Sequence, residues 1–215
     1  MARTRHGLPG IYNSSIITLA DEEGAALALD ANGRLLLGGS GTGGTGETHL
    51  GEVGGRTIRA TVEFTRTTGT TGYHANDAVL PAVGGVVEIA NVGRIVGGSG
   101  YITEIRCSTD LKSITPRFRI HFFNASNPTL SADGANWQDM YADIAKRVGY
   151  YDMPALSTAA DATNSDMSRT MDATMRLPFV CGAATTSLWY AIETLDAFTP
   201  ASAEKFSISI YCELN

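Results

Sequence analysis

Lys205-Phe206-Ser207-Ile208-Ser209-Ile210-Tyr211-Cys212-Glu213-Leu214 carries an apolar side chain at every second position. Successive side chains of a strand point to opposite faces, so Phe206, Ile208, Ile210, Cys212 and Leu214 share one face, and Ser207, Ser209, Tyr211 and Glu213 the other. A strand this regular has to be paired and half buried. The same alternation runs through residues 57–65, with Ile58, Ala60, Val62 and Phe64 inward, and through Phe118, Ile120 and Phe122 against Arg117, Arg119 and His121. Shorter strands are predicted at 77–80, 86–90, 101–107, 177–181 and 187–194, punctuated by Pro81, Gly84-Gly85 and Gly97-Gly98-Ser99-Gly100. Eight strands at irregular spacing, without βα alternation, predict an all-β fold, an antiparallel β-sandwich of jelly-roll type.

Two stretches interrupt the strands. Trp137, Met140, Tyr141, Ile144 and Val148 fall at helical spacing, with Asn136 placed to cap and Gly149 to stop one short amphipathic helix covering the sheets. Residues 157–170 are polar and aperiodic, which predicts a long loop.

Residues 1–23 read as an extended arm: Arg3, Arg5, His6, Gly7, Pro9 and Gly10 have too little apolar periodicity to fold alone. Residues 24–51 read as a β-hairpin and a glycine-rich linker, because Asn32-Gly33 lies between the apolar runs 25–29 and 35–37, and both central residues of a tight hairpin turn need positive φ. An isolated hairpin is marginal in water, so it is expected to dock. Residues 52–215 form the sandwich.

The net charge of −6 disfavours nucleic acid as a partner, since phosphate binding wants a basic face. Thirteen of the sixteen basic residues are Arg, the type suited to planar, bidentate contacts at interfaces. No apolar run approaches the roughly eighteen residues of a membrane span, and the first residues lack a signal core; no membrane contact is expected, and synthesis in the cytosol is. Cys107, Cys181 and Cys212 form no C-x-x-C pair and sit in strand-like stretches, where they read as reduced core thiols.

The motifs that could carry chemistry fail on context. Gly39-Ser40-Gly41-Thr42-Gly43-Gly44 fits G-x-G-x-x-G, yet residues 47–52 open no amphipathic helix to receive a pyrophosphate. Residues 41–48 approach a phosphate-binding loop, but Glu47 stands where the lysine belongs. His6, His49, His74 and His121 are scattered, so no metal is expected, and Ser131-Ala132-Asp133-Gly134-Ala135 has too few carboxylates for calcium. Asp139 and Asp143 could serve as paired acids, but Lys146 and Arg147 lie three and four residues past Asp143 and predict solvated helix-surface ion pairs instead. No nucleophile elbow is present. The chain is read as a non-enzyme without a cofactor. Among the aromatics, Tyr150 and Tyr151 are the candidates for exposed contacts.

The run Asp30-Ala31-Asn32-Gly33-Arg34-Leu35, the strand through Val62 and Phe64, and Tyr73-His74-Ala75-Asn76-Asp77 together resemble structural proteins of tailed bacteriophages. Gly97-Gly98-Ser99-Gly100-Tyr101-Ile102 and residues 186–192 extend the resemblance over roughly residues 24–214. It implies a virion component, a head decoration or cement protein on the outer capsid surface, forming a homotrimer and contacting the major capsid protein. Arg3, Arg5, His6, Asn32, Gly33, Tyr150 and Tyr151 are then the expected capsid or subunit contacts. A tail, neck or fibre-attachment protein, a carbohydrate-binding module and a wall hydrolase are the competing readings.

Overall fold

A computed structural model describes residues 56–82, 85–112, 114–158 and 167–215, together with three short strands nearer the start. The chain divides into two compact units, Met1–Gly54 and Gly55–Asn215.

In the first unit, β1 (Leu19–Ala20), β2 (Ala26–Leu29) and β3 (Leu35–Leu36) form an antiparallel sheet in that order. The predicted hairpin is the β2–β3 pair. Its register, Leu29 opposite Leu35, is one residue away from that of a two-residue Asn32-Gly33 turn, which would set Leu29 opposite Leu36.

The second unit is the predicted sandwich. One sheet is six-stranded, built from β4 (Arg56–Thr65), β7 (Ser99–Thr109), β10 (Ser157–Thr158), β11 (Ser168–Asp172), β12 (Leu177–Val180) and β14 (Lys205–Leu214). The other is five-stranded, with β5 (Ala78–Val79), β6 (Val87–Ile89), β8 (Phe118–Phe123), β9 (Arg147–Asp152) and β13 (Leu188–Thr194). Every pairing is antiparallel.

Both sheets share one plan. A long strand carries another long strand on one edge and two short strands end to end on the other. β7 pairs with β14 on one side, and with β11 and β12 on the other. β13 pairs with β8 on one side, and with β5 and β6 on the other. The core lies between the sheets: Ile102, Ile105, Cys107, Phe206, Ile208, Ile210 and Cys212 from the first meet Phe118, Ile120, Phe122, Leu188, Tyr190 and Ile192 from the second. The inward residues of β14 are those its alternation predicts. At about 1.5–3 kcal/mol for each large apolar side chain buried, the core between the two sheets is the main favourable term in folding this unit.

Gly100 is fixed by close approach, since a Cβ there would lie 2.4 Å from the Glu213 carbonyl oxygen and 3.0 Å from the Phe179 ring. The three cysteines are free and buried, as expected. Burial pushes the thiols of Cys107 and Cys212 up to about 12 and that of Cys181 to about 11.

Two expectations need correction. The helix over 137–148 does not form. Asn136 instead bridges to Asp77, and the Trp137 amide donates to the Asn76 carbonyl at 2.6 Å, which holds this backbone extended. Only a 3-10 helix, Tyr141–Lys146, follows, with Met140 rather than Asn136 before it. Gly149 is no helix stop; it sits inside β9 at φ +155, where a Cβ would lie 2.9 Å from Leu177. The loop predicted over 157–170 includes β10 and the start of β11, which pairs with β7 from Ser168 opposite Thr109 to Asp172 opposite Ile105.

Candidate functional site

Part of the outer face of the second sheet is covered. Residues 124–140, which join β8 to the 3-10 helix, place Leu130 and Trp137 on a second apolar cluster of Ala78, Leu80, Phe123 and Ala191. Alternation along β8 and β13 puts Arg119, His121 and Glu193 on this face beside Phe123 and Ala191, while Tyr150 and Asp152 of β9 extend the same rows.

This face holds a connected cluster of polar side chains. His121 Nε2 lies 2.8 Å from Glu193 Oε2, and both side chains are buried. The Trp137 indole stacks on the imidazole with centroids 3.9 Å apart and planes 11° from parallel. His121 Nδ1 is buried and has no hydrogen-bond partner among the described residues. Burial pushes the imidazole below its ordinary value, although the Glu193 carboxylate pulls the other way. Arg119 makes a two-pronged contact with Asp152 at 2.5 and 2.9 Å, approaches Glu193 at 3.6 Å and lies over the Tyr150 ring at 4.5 Å.

The residues beside this cover present the opposite of an ordinary amphipathic surface. In the 3-10 helix the buried residue is Asp143, while Tyr141 is 87% exposed and Ile144 62%. Asp143 is held by Lys146 at 2.7 Å and by the Thr129 amide at 2.6 Å, and these bonds keep its carboxyl below the usual range. In a 3-10 helix residues i and i+3 eclipse, so Tyr141 and Ile144 stand one above the other. Met140 is also exposed. The predicted acid pair is therefore split: Asp143 faces inward, and Asp139 bonds to the Trp137 indole N–H at 2.7 Å and to Arg147 at 2.5 Å. Of the two basic residues, only Lys146 pairs with Asp143; Arg147 goes to Asp139.

Of the predicted contact residues, Arg3, Arg5, His6, Asn32 and Gly33 lie outside the described residues. Tyr150 is 56% exposed on β9. Tyr151, its neighbour on the opposite face, packs against the main core, where burial pushes its phenol up. Sequence reasoning missed Asp133, read there as a turn. Its carboxylate accepts from the Tyr73 hydroxyl at 2.7 Å and the Leu80 amide at 2.9 Å, with Thr67 Oγ1 at 3.3 Å and the buried Arg66 guanidinium at 3.4 Å. The Tyr73-to-Asp77 motif is a turn, with Asn76 at φ +68 and the His74 amide donating to Asp77 at 2.7 Å.

No protein-family model matches the chain, and no curated protein matches it. Among solved structures, it is similar to a chain of deformed wing virus carrying the GFP gene, at 13% identity and TM-score 0.27, and to a chain of deformed wing virus, a honeybee pathogen, at 12% identity and TM-score 0.24. The comparison covers all of this chain, which spans 58% and 60% of those two. At these scores the likeness carries no argument about what the chain does.

Proposed function

We propose that this chain is a structural, non-enzymatic component of a tailed-phage virion, a decoration protein that binds the outer surface of the head as a symmetric oligomer and bridges capsid subunits. The observation that carries this reading is the inverted 3-10 helix. A short helix that buries its carboxylate and holds Tyr141 and Ile144 outward presents rigid apolar groups to a partner, and aromatic side chains in such positions are enriched in interface cores. The resemblance of its turns and strands to phage structural proteins supports the same reading, and the Tyr73-to-Asp77 turn is compatible with it. A shell offers many equivalent sites, so modest contacts repeated around a trimer would add to high avidity. The partners are the major capsid protein and further copies of this chain.

The test mixes the purified protein with heads assembled without it and with separated tails, followed by sedimentation and counting of bound copies. Binding to heads in hundreds of copies, abolished by Tyr141→Ser with Ile144→Ser, is the expected result. Binding confined to tails, in a few or dozens of copies, would replace this reading with a tail or neck role. Binding to neither would end it.

A further inference from the structure

His121 is 3% exposed and held between Glu193 of β13 and the Trp137 indole, with one ring nitrogen bonded and the other, Nδ1, without a hydrogen-bond partner among the described residues. With Nε2–H donating to the Glu193 carboxylate, Nδ1 carries an unpaired lone pair while the ring is neutral, which costs less in a buried site than an unpaired N–H on a charged ring. A second proton would create a buried imidazolium whose Nδ1–H has no acceptor among the described residues. The groups facing it come from every neighbouring element: Glu193 from β13, Arg119 from its own strand, Tyr150, Asp152 and Arg147 from β9, and Asp139 from the covering segment. Glu193, Asp139 and Asp152 favour the added charge, while Arg119 and Arg147 oppose it and already occupy Asp152 and Asp139. The indole face offers a cation–π contact, but that contact leaves the new N–H unpaired.

We propose that His121 and Trp137 form an acid-released latch: protonation of the imidazole at Nδ1 drives it toward water and lifts the indole, uncovering the outer face of the second sheet. The sign follows from linkage. The imidazole is harder to protonate in the closed latch than in the open one, so the closed state is favoured at neutral pH. It loses ground as pH falls below about 6.5, the open-state value, by up to about tenfold in the open-to-closed ratio per pH unit until the closed-state value is passed.

The chain has two tryptophans, so a Trp189→Phe protein reports Trp137 alone. Acrylamide quenching of its fluorescence is measured from pH 7.5 to 4.5, with far-UV circular dichroism recorded in parallel. The expected result is a severalfold rise in quenching below pH 6.5 with an unchanged β spectrum. His121→Phe, which keeps an aromatic ring under the indole, should abolish the rise. Glu193→Gln, which removes the carboxylate that eases protonation, should extend the rise to lower pH, and it carries the comparison should His121→Phe fail to fold. Flat quenching in the parent protein, an undiminished rise in His121→Phe, or loss of the β spectrum in step with the rise would each overturn the latch.

Discussion

At the residue scale, Asp133 shows how one side chain can hold distant pieces of a β protein together. It joins the turn at 132–134 to Tyr73, Thr67, Arg66 and the Leu80 amide, partners more than fifty positions away in sequence. Arg66 also lies over the Tyr73 ring at 4.6 Å, and removing the carboxylate leaves this buried cation and three donors short of a partner. Asp133→Ala should therefore cost about 3 kcal/mol, measured by urea unfolding, and Tyr73→Phe, which deletes a single hydroxyl, about 1 kcal/mol. Equal losses would mean that Asp133 matters only through the Tyr73 hydroxyl. The sequence marks residue 133 as a turn and nothing more, because a lone Asp beside Gly134 carries no trace of partners that tertiary folding alone brings within reach.

The cysteines were legible at the same scale. Each stands in a strand-like stretch, each is buried, and desolvation raises its thiol well above the ordinary value. A thiol reagent at pH 8 should react with none of the three in the native protein and with all three in denaturant.

At the element scale, alternation found the strands and helical spacing misled. β14 and β4 each turn their apolar side chains to the core and their polar ones away from it, and there a period of two is what burial imposes. β11 was missed because Ser-Arg-Thr-Met-Asp has no apolar alternation; its pairing with β7 rests on the backbone, and Ser168 is its sole fully buried side chain. The spacing of Trp137, Met140, Tyr141, Ile144 and Val148 arises without a helix. Trp137 serves the outer cluster, Val148 packs on the main core, and the three between them face solvent. Propensity lost to the bridge between Asn136 and Asp77. Tyr141→Ser and Ile144→Ser should each change stability by no more than about 0.5 kcal/mol in thermal unfolding, since neither residue is in the core. A large loss from either would show that this ridge packs within the subunit, and its role as a binding surface would fall with it.

At the scale of the whole molecule, the sandwich draws its strength from strands far apart in sequence. β14 lies between β4 and β7 over nearly its whole length, from Lys205 opposite Thr65 to Leu214 opposite Arg56 on one side, and from Phe206 opposite Thr109 to Leu214 opposite Gly100 on the other. Without it the first sheet falls into an isolated β4 and a β7 lacking its long partner, and Phe206, Ile208, Ile210 and Cys212 leave the core together. Residues 1–54, by contrast, form a unit of their own, and among the described residues the main core belongs wholly to the other. A protein starting at Gly55 should therefore keep its β spectrum and melt within a few degrees of the full chain, whereas one lacking residues 205–215 should not fold at all. The pair also separates folding from attachment. If residues 1–23 serve as an arm that orders on a shell, the protein starting at Gly55 will be folded and deficient in head binding. If it binds heads as the full chain does, attachment rests on the sandwich, and the ridge at Tyr141 and Ile144 is the first surface to mutate.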